Sequence, residues 1–468
     1  MASRRSFLSA VAGTAASIRM NASAAPFTSQ RPAPEKRRFT SEAVEAVIRE
    51  TKKAIADPEI AWLFENCYPN TLDTTVEYSE ADGQPDTFVI TGDIHAMWLR
   101  DSTAQVWPYV PLAKKDERLR KLLAGVVRRQ TKCILIDPYA NAFNAGPTGS
   151  EWAKDRTAMK PELHERKWEI DSLCYAVRLA HGYWKATGDT SCFTAEWKKA
   201  AALIVQTFRE QQRMSGPGPY HFQRVTAVPT DSLPNGGYGN PAAPCGMIRS
   251  GFRPSDDACI FPYLIPSNFF AATSLDQLAE IHSTVLSDQA AAQGCRALAA
   301  QVRDGLAKHA KARHARYGEI YAFEVDAYGS SLLMDDCGIP GLVSVPYLGC
   351  MRADDPVYRN TRAFALSEAN PFYYHGTAGE GLGSPHSGLD MIWPMGIIAR
   401  ALTSESEAEI GACLKTLKQT HAGTGFMHEA FNKDDASKFT RKWFAWANTL
   451  FGELVLKVMD RHPRLLRA

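Results

Sequence analysis

Apolar residues recur every three or four positions along most of the chain, which is the period of an α-helix with one buried face. A first helix is predicted to begin near residue 42, with Thr40 or Ser41 as its N-cap and Glu42 or Glu45 in its first turn. The same period predicts eight further helices, over residues 119–133, 170–187, 196–214, 268–287, 288–314, 391–403, 406–418 and 442–459. The pattern therefore indicates an all-α protein.

Two short stretches rich in β-branched and aromatic residues interrupt this pattern. DTFVIT at 86–91 and EIYAFEVDAYGSS at 319–331 predict minor β-hairpin insertions between the helices. Two other stretches, 215–253 and 369–388, are rich in Gly and Pro and are too long to be connecting turns. Loops of that size in a compact domain are usually functional or disordered.

Six polar clusters each precede an apolar, helix-like run. They are WLRDS at Trp98, WEIDS at Trp168, RPSDDA at Arg253, LMDDCGIP at Leu333, GSPHSG at Gly383 and RKWFAWAN at Arg441. Their spacing of roughly 50 to 90 residues leaves room for one helix out and one helix back. Six such hairpins, with all inner helices beginning at one end, would close into a ring around a polar pocket. The alternative is six unrelated capped helix starts.

Composition and charge exclude several classes of function. The chain has 468 residues, of which 45% are hydrophobic and 22% charged, as in ordinary globular proteins. The net charge is +2 with acids and bases interspersed, so no nucleic-acid partner is predicted. Beyond the N-terminus no segment approaches the roughly 18 uncharged apolar residues of a membrane span. The ten cysteines form no Cys-x-x-Cys pair.

The N-terminus resembles an export signal. Arg4 and Arg5 precede Phe7 and Leu8, and the small residues Ala-Ser-Ala at 22–24 follow an apolar stretch. This order is typical of a twin-arginine leader and predicts a periplasmic or secreted protein; a disordered basic leader or a mitochondrial presequence is the alternative. We therefore divide the chain into a signal over 1–24, a Pro- and Lys/Arg-rich linker over 25–38 and a single catalytic domain over 39–468.

The motifs of metal, phosphate and serine chemistry are missing from the sequence. His-Glu-x-x-His, a Walker loop, Gly-x-Gly-x-x-Gly and Gly-x-Ser-x-Gly do not occur, so no metal and no cofactor are predicted. Carboxylates remain, and a pair of them is what glycoside hydrolysis requires. Asp256 and Asp257 follow Arg253, and Glu429 lies in a Gly-rich loop after His428. If the two aspartates lie on a helix they point about 100° apart, so at most one faces a substrate.

The stretch TGDIHAMWLRDS has the residue types of a sugar-binding pocket. Arg100 and Asp101 can form paired hydrogen bonds with vicinal hydroxyls, and Trp98 can cover the apolar face of a sugar ring. Arg253 and His386 lie at other predicted helix mouths and are expected to join them. The alternative is a capped helix with a buried Arg-Asp ion pair beside a half-buried Trp.

Five blocks in order along the chain resemble glycoside hydrolase family 125. They are GDIHAMWLRDSTAQVWPYV, SGFRPSDDACIFPYLIPSN, LLMDDCGIPGLVSVPYLG, GLGSPHSGLDMIWP and GFMHEAFNKDDASKFTRKWFAWANTLFGELVL. The resemblance implies an (α/α)6 barrel and a metal-independent, inverting exo-α-1,6-mannosidase acting on mannose-containing glycans such as N-glycan or mannan fragments. It assigns the general acid to Asp256, with Asp257 as second choice, and the base to Glu429. The predicted sugar-binding residues are Trp98, Arg100, Asp101, Arg253, Asn268, Asp336, His375 and His386.

Two other functions stay open at this point. Another glycosidase of similar barrel, related to glucoamylase or trehalase, would use the same residue types. A glycan-binding protein without activity would not need both Asp256 and Glu429.

The inverting reaction sets expectations for the two carboxyl groups. They should lie about 6.5–9.5 Å apart to leave room for a water. Burial against Phe252 or Trp98 is expected to raise the pKa of Asp256 and keep it protonated, while Arg253 points at the sugar. Glu429 is expected to be ionised and positioned by its Gly-rich loop.

Overall fold

The computed structural model describes residues 27–467 and shows a mainly helical chain with small sheets, which confirms the predicted dominance of helices. Its helices are α1 (Glu42–Ala54), α2 (Pro58–Cys67), α3 (Asn70–Thr74), α4 (Leu99–Val106), α5 (Glu117–Ile136), α6 (Ile170–Thr187), α7 (Ala195–Gln212), α8 (Ile265–Thr284), α9 (Gln289–His309), α10 (Pro356–Ala365), α11 (Pro394–Leu402), α12 (Glu407–Gln419), α13 (Ala445–Arg461) and α14 (Arg464–Arg467).

The strands are short and form antiparallel sheets of two or three strands. They are β1 (Val76–Ala81), β2 (Gln84–Val89), β3 (Met97–Trp98), β4 (Ala142–Phe143), β5 (Leu163–Glu165), β6 (Tyr263–Leu264), β7 (Lys311–His314), β8 (Gly318–Tyr321), β9 (Glu324–Val325), β10 (Ser331–Leu332), β11 (Tyr373–His375), β12 (Glu380–Leu382), β13 (Met391–Ile392), β14 (Ala430–Asn432) and β15 (Asp435–Thr440).

Most predicted helix bounds hold within three residues, and the exceptions have local causes. The helix predicted over 170–187 matches α6 at both ends. The helix predicted over 288–314 ends at His309, because Lys311–His314 instead pairs with Gly318–Tyr321 as a hairpin. The stretch 40–67 forms two helices rather than one, because Asp57 caps a new helix that has Pro58 at its first position.

The fourth polar cluster is the one that does not lead into an α-helix. Residues 342–349 form consecutive turns after the LMDDCGIP motif. The buried Asp335 carboxylate accepts hydrogen bonds from the main-chain nitrogens of Leu342 (2.7 Å) and Val343 (2.9 Å). Pro340 and Pro346 each remove a main-chain donor. The prediction of a helix here was wrong. The Asp335 carboxylate accepts two main-chain N–H groups, and the two prolines have no main-chain N–H to donate to a helix.

Five helices form the interior of the molecule. Helix α4 contacts α6 and α13, α6 contacts α8, and α11 contacts α13. Helix α4 is buried along its whole length, whereas an outer helix such as α12 buries one stripe of residues. The stripe of α12 has helical spacing and consists of Ile410, Cys413, Leu414 and Leu417. The two-residue strands β3 and β6 run directly into α4 and α8.

Residues 27–38, which fall in the stretch predicted as a linker, lie against the domain. The Arg31 guanidinium is buried and donates to Asp73 at 2.7 Å and to Glu45 at 2.5 Å. The predicted export signal lies outside the described residues. Within 27–467 no helix combines the length and the apolar character needed to cross a membrane.

Candidate active site

The beginnings of α4, α11 and α13 and the loop that leads to α8 meet at one pocket. The empty space of this pocket and its open mouth together is about 510 Å³. Side chains from five parts of the chain line it: Trp98, Arg100 and Asp101; Ser255 and Asp256; Cys337; His386, Trp393 and Met395; Glu429, Arg441, Phe444 and Trp446. The pocket thus collects residues from five of the six polar clusters, with Cys337 from the LMDDCGIP cluster among them.

Helix α4 delivers three of the predicted sugar-binding residues. Trp98 ends strand β3 and directly precedes the helix, with its ring edge against His164 at 5.3 Å between centroids. Arg100 is 3% exposed and Asp101 is also buried, because the helix is enclosed on every side. Their polar groups therefore face the pocket and other buried polar side chains.

Arg100 is the centre of an ion-pair cluster. Its guanidinium contacts four carboxylates, at 2.5 Å from Glu169, 3.1 Å from Asp171, 3.1 Å from Asp256 and 3.5 Å from Asp101. Burying unpaired negative charge is costly, so four ionised acids around one cation would be unstable. Burial accordingly raises the pKa of Asp101 to about 6, although the charge of Arg100 acts against the rise.

The backbone at Asp256 has the left-handed conformation, with φ of 70°. A non-glycine residue in that region costs about 1–3 kcal/mol and is a feature of functional sites. A tight turn enforces it, because Arg253 N donates to Asp257 O (2.8 Å) and Asp256 N donates to Arg253 O (2.9 Å). Lys167 Nζ holds the Asp256 carbonyl at 3.0 Å. The turn directs the Asp256 side chain, 27% exposed, into the pocket.

The electrostatic expectation for Asp256 was wrong. Burial by itself would raise the pKa of Asp256, but the charges of Arg100, Lys167 and His386 outweigh it and hold the pKa below its usual range. The sequence places Arg253 next to this aspartate, yet the cation that contacts it is Arg100. The acid in the resting protein is therefore ionised when considered alone.

Asp257 points away from the pocket. Its side chain is 4% exposed and faces the His386 ring, with Oδ1 at 3.7 Å from Nδ1. Burial alone would lower the pKa of His386, but the neighbouring Asp257 carboxylate and the charges of Asp256 and Glu429 raise it to about 9. His386 is therefore a cation in the pocket wall at neutral pH.

Glu429 is held by Thr440 at the end of β15 and by the next residue, Arg441, and not by its Gly-rich loop alone. Thr440 Oγ1 donates to its carboxylate at 3.1 Å and Arg441 Nη1 donates to it at 3.2 Å. Arg441 also donates to Asp93 through Nε at 3.0 Å. One arginine therefore connects the predicted base to the loop before α4.

Within residues 27–467 no cluster of three or more His, Cys, Asp or Glu side chains could hold a metal ion. A family model described as metal-independent alpha-mannosidase (GH125) matches residues 57–456. This chain belongs to glycoside hydrolase family 125. The predicted family resemblance is confirmed.

Two relatives match nearly the whole chain. The first is a metal-independent α-mannosidase of Streptococcus pneumoniae, solved in a non-productive substrate complex with α-1,6-mannobiose. It is 42% identical with a TM-score of 0.87, and the match covers 90% of this chain and 99% of that one. The second is the meiotically up-regulated gene 157 protein of Schizosaccharomyces pombe, 41% identical over 94% of this chain and 90% of that protein.

Four of the predicted sugar-binding residues of this GH125 chain lie outside the pocket lining. Arg253 donates through Nε to the buried Glu324 carboxylate at 2.6 Å, so it does not point at a sugar. Asn268 is buried in α8, where it hydrogen-bonds main-chain groups of Ile248 and Leu264. These two predictions were wrong because both side chains fix the backbone of the acid-bearing loop and of α8.

His375 and Asp336 are the other two. His375 is 71% exposed in strand β11 and pairs with Glu380 at 3.1 Å, remote from the pocket residues. Asp336 is buried behind the pocket, where it accepts hydrogen bonds from Ser255 Oγ (3.1 Å) and Gly338 N (2.8 Å). Since Ser255 and Gly338 line the pocket, Asp336 supports the wall of the GH125 site without forming it.

The sequence reasoning missed the aromatic wall and its arginine. Trp393 is fixed by donating through Nε1 to Ser387 Oγ at 2.6 Å, and Phe444 lies edge-on to it at 6.3 Å between centroids. Arg441 lies over the Phe444 ring at 4.7 Å. The RKWFAWAN cluster contained the necessary information, because it combines a cation and aromatic residues at a helix start in the way that WLRDS does.

We expect His386 to stabilise the fold in a pH-dependent way. Its pKa is higher in the folded chain than the value near 6.5 of an unfolded histidine. The contribution is therefore complete below about pH 6.5 and is lost as the pH rises through about 9. Urea unfolding of wild type and His386→Asn should show a difference in unfolding free energy that shrinks over this interval. The difference in unfolding free energy between Asp257→Asn and the double variant with His386→Asn should be smaller than this at low pH. An equal difference would contradict the ion pair between His386 and Asp257.

Proposed function

We propose that this chain is an exo-acting, inverting α-mannosidase that removes terminal α-1,6-linked mannose from mannose-containing glycans. The observation that carries the proposal is that Asp256 and Glu429 open into the same pocket from separate loops and have different partners. Membership of GH125 supports the α-mannoside substrate, and the α-1,6-mannobiose complex of the Streptococcus pneumoniae relative supports the linkage.

Recognition of the terminal mannose follows from the pocket wall. Arg100 and Asp101 offer a donor and an acceptor side by side at the buried start of α4, which suits a pair of vicinal hydroxyls. Trp98, Trp393 and Trp446 offer apolar surface for the faces of the ring. His386 adds a cationic donor. The alkaline form of His386 has lost that charge, so binding should weaken above about pH 9.

Two carboxyl groups then carry out the hydrolysis. Asp256 gives a proton to the glycosidic oxygen as its bond to the anomeric carbon breaks. Glu429 takes a proton from a water molecule, and that water attacks the anomeric carbon from the opposite face. Arg441 and Thr440 fix the position of the Glu429 carboxylate by donating to its oxygens. An α-mannoside therefore yields β-mannose.

The helix contacts support an (α/α)6 barrel as the scaffold of this reaction. The interior helices are neighbours in the order α8, α6, α4, α13 and α11. The turns at 337–350 fill the sixth place, since Cys350 lies beside Thr273 of α8 and Cys337 approaches Gly396 of α11. The polar residues at the helix starts then share one end of the barrel. The twin-arginine-like leader adds the proposal that the folded enzyme is exported.

Proton NMR of the reaction with α-1,6-mannobiose tests the proposal directly. The enzyme, first dialysed against EDTA, is expected to release β-mannose as the first product at an unchanged rate. Parallel reactions with α-1,2- and α-1,3-mannobiose and with maltose and trehalose measure the selectivity. First appearance of α-mannose would contradict inversion, and cleavage of the glucosides alone would contradict the mannosidase assignment. Mannobiose binding without any product would identify a glycan-binding protein.

A further inference from the structure

The WEIDS cluster places a second carboxyl group, that of Glu169, next to the acid Asp256. The proposed reaction gives this second carboxyl group no role. Glu169 directly precedes α6 and is completely buried, yet it does not line the pocket. Its carboxyl and that of Asp256 contact the two terminal nitrogens of the same guanidinium, that of Arg100, Glu169 at Nη1 (2.5 Å) and Asp256 at Nη2 (3.1 Å), and each carboxyl changes the pKa of the other. A hydrogen bond between two carboxyl groups requires that one of them carries a proton.

We propose that Glu169 is a positioning residue that holds the proton which Asp256 donates, so that the two carboxyls act as one acid. The inference rests on the proposed function, in which Asp256 is the general acid. A general acid must hold a proton, whereas Asp256 alone is ionised in the resting protein. Glu169 supplies the missing proton. Two neighbouring carboxyl groups cannot both ionise easily, so the pair retains one proton that Asp256 alone would lose.

The surroundings of the two carboxyl groups favour the proton on Glu169 rather than on Asp256. Burial and the charges of Asp256 and Asp171 raise the pKa of Glu169 well above its usual range, although Arg100 acts against the rise. Arg100 of α4 and Ser172 of α6 donate to the Glu169 carboxyl, Asn141 Nδ2 lies 3.5 Å from it, and the charges of Asp256 and Asp171 act on it. Lys167 and His386 face Asp256 instead and keep the negative charge there.

The proton balance of this pair is complete. The proton moves along the carboxyl–carboxyl hydrogen bond from Glu169 to Asp256 and then to the glycosidic oxygen, leaving both carboxylates ionised against Arg100. The attacking water gives its proton to Glu429. After product release the pair takes one proton from solvent and Glu429 returns one, so no net proton is consumed.

Glu169→Gln tests the inference because it keeps the shape and removes the stored proton. At pH 7 we expect the kcat on α-1,6-mannobiose to fall about 10²-fold. The rate on 2,4-dinitrophenyl α-mannoside, whose leaving group needs no proton, should change by less than about fivefold. The basic limb of the mannobiose pH profile should move to lower pH, so that activity recovers on acidification. A purely structural role would lower both rates equally and leave the profile in place.

Glu324→Gln is the matched control. Glu324 is also buried and also accepts from an arginine, Arg253, at 2.6 Å, but it has no contact with Asp256. The amide should weaken the fold and change the two substrates by the same factor. A leaving-group dependence in this variant equal to that of Glu169→Gln would overturn the inference.

Infrared difference spectra separate this inference from the proposed function. Wild type minus Glu169→Gln at pH 7 should show the carbonyl stretch of one protonated carboxylic acid. Wild type minus Asp256→Asn should show the same band, which covers the case that Glu169→Gln does not fold. If the wild type cleaves no α-mannoside but the variants lose the carboxylic-acid band, the shared proton of Glu169 and Asp256 is supported and the proposed function fails. If the enzyme is active and only carboxylate bands are lost, the inference fails.

Discussion

Glu429→Gln is expected to lower kcat by about 10³- to 10⁴-fold on α-1,6-mannobiose and on an aryl α-mannoside alike. The amide cannot accept a proton from the attacking water, and that water is needed whatever the leaving group. The loss should therefore not depend on the substrate, and acidification should not restore it. Initial rates by product chromatography and stopped-flow absorbance measure both reactions.

The control for this variant is Glu405→Gln. Glu405 is 72% exposed and lies near His462, away from the pocket residues, so its amide should leave both rates within about twofold of wild type. If Glu429→Gln retained more than about a tenth of the aryl-mannoside rate, the base would have to be another group. Because Glu429 also binds Arg441, a melting curve should accompany the rates to show that the variant is folded.

Asp256→Asn should separate substrates by their leaving groups. The mannobiose rate is expected to fall by about 10²- to 10⁴-fold, because the glycosidic oxygen must leave without a proton. The rate on 2,4-dinitrophenyl α-mannoside should fall only a few-fold. Unlike the Glu169→Gln variant, this variant should not recover at low pH, since the amide has no acidic proton at any pH of interest.

The neighbouring residue offers a matched control. Asp257→Asn makes the same chemical change one position along the chain, but its side chain faces His386 and not the pocket. Both substrates should lose activity by equal factors, through the lowered pKa of His386. If Asp257→Asn instead showed the strong leaving-group dependence, the acid would be Asp257, and the turn at Asp256 would only orient it.

The pattern of the sequence determined most helices because their period is local. Helix α6 begins and ends as predicted, since its apolar period runs unbroken up to Thr187 and Gly188 takes the left-handed conformation after it. The start of α11 was misplaced by three residues, because Met391 and Ile392 pair with Phe431 and Asn432 from far along the chain. A helical period cannot reveal such a partner.

The electrostatics of the site depend on distant partners and could not be predicted. In two of the polar clusters an arginine lies close to an acid in the sequence, Arg100 next to Asp101 and Arg253 near Asp256. Glu324, 71 residues away, takes Arg253 out of the pocket, while Arg100 reaches Asp256 across 156 residues. The sign of the pKa shift of Asp256 follows from that exchange. Residue type predicted which groups form the site but not which of them contact each other.

The ion pair between Arg441 and Asp93 spans 348 positions of the chain. A nascent chain that has left the ribosome as far as α12 already contains the acid and the helix that binds the sugar. It still lacks Glu429, Arg441 and the α13 surface against which α4 packs. Contacts between residues so far apart in the sequence form late, and only after the second of the two residues has been synthesised. Under the proposed function, an unfinished polypeptide therefore lacks the base, and hydrolysis requires that synthesis has passed Arg441.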